Sequence, residues 1–121
     1  MEHFAWVAVR KEVMNAKLWR KVISGKKAMV AQVFLAKGCI VPVHEHESEQ
    51  ISYVVEGALK FELEGKEIVV GKGEVLVIPS NVPHKAVALE DTLDLDVFSP
   101  IRVDWLTGTD DYLRKDLTEK S

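Results

Sequence analysis

The sequence predicts an all-β fold, and three observations carry that prediction. Short apolar runs recur along most of the chain, most of them closed by glycine or proline. Within several runs, apolar and polar residues alternate with the two-residue period of a strand. Two such runs flank Glu64-Gly65, a strong hairpin signal. Regular short strands of this kind build a barrel or a sandwich.

The elements follow in order. EVMNAKLWRKV, residues 12–22, suits a helix or a strand equally by propensity. The basic residues Arg20, Lys21, Lys26 and Lys27 around Ser24-Gly25 read as a solvated hairpin. AMVAQVFLAKG is a strand ending at Gly38, and QISYVVEG is another ending at Gly57. ALKFELEGKEIVVGKG forms the hairpin over Glu64-Gly65. EVLVIP is apolar on both faces and stops at Pro79, while KAVALED and TLDLDVFSP precede Pro100. The tail is expected to be a short C-terminal helix, with Thr109 as N-cap ahead of DDYLRKDL.

The bulk properties narrow the function. The 121 residues show no linker, repeat or low-complexity tract, so a single domain over 1–121 is expected. A net charge of -3 disfavours nucleic acid as a partner. No run approaches the roughly 20 apolar residues of a membrane span, and the amino terminus lacks a signal-peptide pattern. The lone Cys39 has no internal disulfide partner, and it reads as a small buried residue rather than a nucleophile. A cytoplasmic protein is the expectation. Ile51, Tyr53 and Val55 alternate with Ser52 and Val54, so this strand is apolar on both faces. An apolar outer face needs a cover, which predicts a homodimer.

VHEHESEQISYVVEG, residues 43–57, holds two histidines one residue apart. Side chains at i and i+2 of a strand point the same way, so His44 and His46 can aim at one point. Two neutral imidazoles so placed are half of a metal site. Counting from Gly38 gives five residues, His44, one residue, His46, three residues, Gln50, six residues and Gly57. Counting from Gly73 gives five residues, Pro79, and then Asn81, Val82, Pro83 and His84. This double spacing resembles the two signature motifs of the cupin superfamily, here with fifteen residues between Gly57 and Gly73.

The resemblance implies a double-stranded β-helix, the cupin jelly-roll barrel, with a motif-bearing core over about 26–103. It implies His44, His46 and His84 as metal ligands, with Gln50 at the fourth position, where glutamate is usual. Glu47 and Glu49 are alternative fourth ligands at less suitable offsets, and Gln50 can also be read as a hydrogen-bonding core residue. Asn81 stands where the second motif usually has glycine, and asparagine tolerates the left-handed backbone needed there. The cofactor implied is one divalent transition metal ion: Mn, Fe, Co, Ni or Zn. Three imidazoles and an amide bring no charge, so the ion keeps its +2 for an anionic ligand.

In TLDLDVFSPIR, Leu93, Leu95 and Val97 face one way and Asp94, Asp96 and Phe98 the other. Two carboxylates on one face require water or partners. The pattern alone reads as a solvent-facing edge strand with Asp96 and Arg102 paired at the surface. However, EQISYVVEG together with LEDTLDLDVFSPIRVDW resembles the KdgF group of pectin-degradation cupins. That resemblance implies three histidines and a glutamine on the metal, with Asp96, Phe98 and Arg102 completing the active site. Asp94 is not part of the pattern.

The implied reaction is metal-dependent and isomerase- or lyase-like. It linearises a 4,5-unsaturated uronate monosaccharide to 5-keto-4-deoxyuronate. Asp96 would move protons, Arg102 would clamp the carboxylate of a small anionic sugar, and Phe98 would face the ring. Two other functions compete with this reading. One is a dioxygenase using a redox metal and oxygen. The other is a non-catalytic cupin that binds a small acid or sugar.

Overall fold

The computed structural model describes residues 1–114. Strand alternation sets the layers: Met29, Ala31, Val33 and Leu35 are buried, while the residues between them are half-buried on the other face. Among the described residues the strands are β1 (Glu12–Asn15), β2 (Leu18–Ser24), β3 (Met29–Leu35), β4 (Ile40–His44), β5 (Glu49–Glu56), β6 (Ala58–Leu63), β7 (Lys66–Gly71), β8 (Val75–Ile78), β9 (His84–Ala88) and β10 (Thr92–Ser99). A helix, α1, spans Val103–Thr107.

A six-stranded sheet, β1-β2-β3-β10-β5-β8, faces a four-stranded sheet, β4-β9-β6-β7. Every pairing is antiparallel. Met29, Val33 and Leu35 from the first sheet share one core with Leu59, Phe61 and Val70 from the second. This is the expected jelly-roll barrel.

Local chemistry holds the turns. Glu64 and Gly65 both have positive φ, 52° and 72°, the backbone of a tight hairpin turn between β6 and β7. A Cβ on Gly57 would lie 2.4 Å from Thr92 Oγ1 and 2.5 Å from the Asp91 carbonyl, so only glycine lets these segments pass. Asn81 has φ 60°, and its N–H donates to the His46 carbonyl at 2.8 Å, tying one histidine motif to the other.

Two regions differ from, or decide between, the expectations. Residues 12–22 form the β1–β2 hairpin, whose turn is pinned by the Lys17 N–H donating to Asn15 Oδ1 at 2.8 Å. Arg20 is not solvated. It lies on the inner face of β2, fully buried, and pairs with Asp110. The tail helix does not start at Thr109. Instead α1 ends earlier, at left-handed Gly108 (φ 70°), and a 3-10 turn follows over Asp111–Leu113. Asp110 turns inward to Arg20 with ψ 66°, which breaks helical geometry at that point. The rest of the expected helix lies outside the described residues.

The outer face of the large sheet is apolar, as expected. Ile51 and Tyr53 are 37% and 39% exposed, Val75 and Val77 are 53% each, and Val97 is 36%. Ile51 lies opposite both Val77 and Val97, so these side chains form one continuous stripe. Among the described residues no helix is long and apolar enough to cross a membrane.

Candidate metal centre

Strand register brings the histidines together. His44, at the end of β4, pairs directly with His84, at the start of β9. His46 follows two residues after His44. Each ring donates its Nδ1–H to a carbonyl two residues away: His44 to Pro42, His46 to Ser48 and His84 to Val82, all at 2.8 Å. These bonds set the tautomer and leave an Nε2 lone pair on every ring.

The three candidate ligand atoms lie within 4.8 Å of one another. His84 Nε2 is buried without a hydrogen-bond partner, a costly position that a cation would relieve. Burial, with His84 nearby, pushes the His44 pKa down to about 3. Burial, with Arg102 nearby, pushes that of His46 down to about 4. Burial lowers that of His84 as well. All three rings are therefore neutral at neutral pH, the form that ligates metal.

Gln50 lies beside the three histidines. Its Oε1 lies 3.1 Å from His46 Nε2. With the His46 proton on Nδ1, two lone pairs face each other there, and a cation between them reconciles the contact. The amide orientation follows from a chain of hydrogen bonds. Ser52 Oγ donates to Asp96 Oδ1 at 2.7 Å and so accepts from Gln50 Nε2 at 2.8 Å. Three imidazole nitrogens and one amide oxygen, with no thiolate, suit a divalent transition ion, so the donor set fits the expected cofactor. Glu47 and Glu49 are exposed on the outside.

The carboxylates point inward, not to solvent. β10 is a central strand between β3 and β5, and Thr92, Asp94, Asp96 and Phe98 all face the interior. The solvent-facing edge strand suggested by pattern alone is thereby corrected. Two flanking strands fix β10 in place, and the interior face is the one carrying the charges. Burial raises the Asp96 pKa, while hydrogen bonds from Asp94 and Ser52 oppose the rise. Burial and the neighbouring Asp96 hold the Asp94 carboxyl well above the usual range. Asp94 is therefore the protonated partner, and its Oδ1 is buried without a hydrogen bond.

The expected surface pair of Asp96 with Arg102 does not form. Arg102 is 3% exposed, and its fork engages Asp104 at 3.0 and 2.7 Å. Its Nη2 also donates to the Tyr112 hydroxyl at 2.7 Å. Phe98, fully buried, sets its edge against His46 at 5.7 Å between centroids. His44, Gln50, His84, Asp96, Phe98 and Arg102 line one interior cavity of about 50 Å³.

Sequence reasoning missed Ser52 and Tyr112. Ser52 sits two residues after Gln50 on the same strand face, so the period-two rule was enough to find it. Tyr112 stacks on His44 from the tail, and no local pattern announces that contact.

A two-sheet jelly roll with a histidine cluster carried on and beside its strands is the architecture of a cupin. The cupin domain model matches residues 31–99, and the chain belongs to this family. Among curated proteins it is similar to the pectin degradation protein KdgF of Dickeya dadantii, with 34% identity over 98 residues, covering 78% of this chain and 89% of that protein. Among solved structures it is similar to KdgF from Halomonas sp., with a TM-score of 0.80 and 34% identity, covering 86% of this chain and 99% of that one. An RmlC-like cupin from Shewanella frigidimarina matches with a TM-score of 0.81 and 31% identity, covering 87% and 96%.

Proposed function

We propose that this cupin linearises 4,5-unsaturated uronate monosaccharides to 5-keto-4-deoxyuronate, within the catabolism of pectin-derived uronates. One observation carries the reading. A buried carboxylate, Asp96, lines the same cavity as Arg102, His44 and His84, two of the three clustered histidines. The similarity to the KdgF proteins supports it.

The chemistry needs one proton carrier. The Asp96 carboxylate takes the proton from the anomeric hydroxyl as the C1–O5 bond breaks and C1 becomes an aldehyde. The bonding electrons leave on O5, giving an enolate over O5, C5 and C4. Asp96 then returns the proton to C4, and O5 becomes the C5 ketone. Atoms balance and no electrons leave the substrate. Asp94 keeps a proton and donates to Asp96, holding it in place. Arg102 binds the carboxylate, and Phe98 gives the ring an apolar wall. A divalent ion held by His44, His46, Gln50 and His84 would supply positive charge for the developing enolate oxygen. The neutral Gln50 leaves that charge undiminished.

The apolar stripe through Ile51, Tyr53, Val75, Val77 and Val97 supports a homodimer packed on the large sheet.

The test follows the ultraviolet absorbance of the conjugated C4=C5 bond, with the spontaneous ring opening subtracted and the keto product identified by NMR. Metal-loaded enzyme should outpace the background, and Asp96→Asn should lose about 10²-fold or more of turnover while keeping its metal. Failure to exceed background on unsaturated galacturonate and its epimers ends this reading. Oxygen uptake would then point to a dioxygenase, and binding without turnover to a non-catalytic cupin.

A further inference from the structure

The segment 103–113 runs from α1 into the 3-10 turn over Asp111–Leu113, which packs against β4. The Tyr112 ring lies nearly face to face with the His44 imidazole, with centroids 4.4 Å apart and planes inclined at 23°. The Tyr112 hydroxyl oxygen accepts from Arg102 Nη2 at 2.7 Å and from Trp105 Nε1 at 3.4 Å. Those two bonds use both lone pairs. Among the described residues no acceptor takes the hydroxyl proton, which is left for an acceptor inside the pocket.

The cavity that Tyr112 helps to line measures about 50 Å³. A water needs about 10–15 Å³ by this measure, so the space suits about four waters against the roughly dozen non-hydrogen atoms of a uronate. The cavity is therefore too small for the sugar with Tyr112 in its present place in the lining. The anchors of the segment differ in strength. Asp110 is fully buried on Arg20, whereas the Asp104 side chain on Arg102 is 37% exposed and can turn to water at little cost. Among the described residues beyond Asp110, the segment is held by the Tyr112 stack and hydroxyl, by the buried Leu113 side chain, and by Asn15 Nδ2 donating to the Leu113 carbonyl at 3.0 Å.

We infer that Tyr112 is a further substrate-binding residue, carried on a strap that opens to admit the sugar acid. On closing, its hydroxyl donates to the substrate carboxylate beside Arg102, and Asp104 gives up its place on the guanidinium. The inference rests on the proposed uronate reading for the ligand's identity. The covering role rests on the stack over His44 alone.

Two measurements test it. In zinc-loaded protein, Tyr112→Phe keeps the ring and loses the donor. It should weaken D-galacturonate binding about tenfold in calorimetry, and raise KM for the unsaturated uronate about tenfold with kcat within about threefold. Separately, zinc release to a chelator should be about tenfold faster in Tyr112→Ala and unchanged in Tyr112→Phe. Equal galacturonate affinity in wild type and Tyr112→Phe overturns the hydroxyl's role. Equal zinc release in wild type and Tyr112→Ala overturns the strap. Wild-type zinc protein that neither binds nor converts uronates removes the function and the hydroxyl's role together, while the chelator result still decides whether the strap covers the metal.

Discussion

Replacing Gln50 with glutamate, the residue usual at this cupin position, asks why an amide stands here. The substitution would add a third carboxylate to a wall already carrying Asp94 and Asp96. The hydrogen bonds through Ser52, 2.8 and 2.7 Å long, keep the Gln50 amide within about 5.5 Å of the Asp96 carboxylate. At an effective dielectric of about 20, two unit charges that far apart repel by about 3 kcal/mol. That energy lowers the ionised fraction of Asp96 roughly 10²-fold at a given pH. The ion would also fall from +2 to about +1 in effective charge, weakening its hold on an anionic sugar. Gln50→Glu should therefore keep its metal yet lose about 10²-fold of turnover at neutral pH, with partial recovery as the pH rises. The assay is zinc content by elemental analysis followed by a pH–rate profile on the unsaturated uronate. Fully loaded variant turning over within about threefold of wild type, with the same profile, would refute the electrostatic argument.

Other outcomes follow from the same structure. Asp110→Asn leaves the Arg20 guanidinium buried without its main counter-charge, so urea unfolding should show a loss of about 3 kcal/mol. Arg20→Met combined with Asp110→Leu should recover most of it, and a double variant worse than the single would contradict the reasoning. Histidines in the unfolded chain take up protons below about pH 6.5. In the native protein His44 and His46 resist until about 3 and about 4, so the metal-free protein should lose stability progressively as pH falls from about 6.5. The raised Asp94 works in the opposite sense. The comparison is therefore wild type against His46→Ala, and an equally steep acid decline in both would count against the histidine origin. Val77→Lys places a charge in the exposed apolar stripe and should convert the proposed dimer to monomer by light scattering. A wild type that is already monomeric at every concentration removes the dimer.

Much of this molecule was legible one residue at a time. Period-two alternation marked the strands because it follows from backbone geometry. Glu64-Gly65 marked its hairpin because few sequences accept positive φ twice in succession. The spacing around His44, His46, Gln50 and His84 marked the candidate centre because i, i+2 neighbours on a strand share a face. The inside and outside of β10 were harder. Leu93, Leu95 and Val97 looked like the buried set and are the outer one, because hydrophobicity reveals the core only where the outer face is polar.

By itself, then, the sequence determined the fold class, the hairpin turns and a histidine pattern with metal spacing. These depend on local backbone preferences and short fixed offsets along the chain. The tertiary structure alone decided which face of β10 holds Asp94 and Asp96, that Arg20 is buried on Asp110 ninety residues away, and that Tyr112 covers His44. Those contacts join segments with no shared period or offset. Their free energy comes from desolvation and from charge pairing inside the barrel, and both exist only once the two sheets have closed around them.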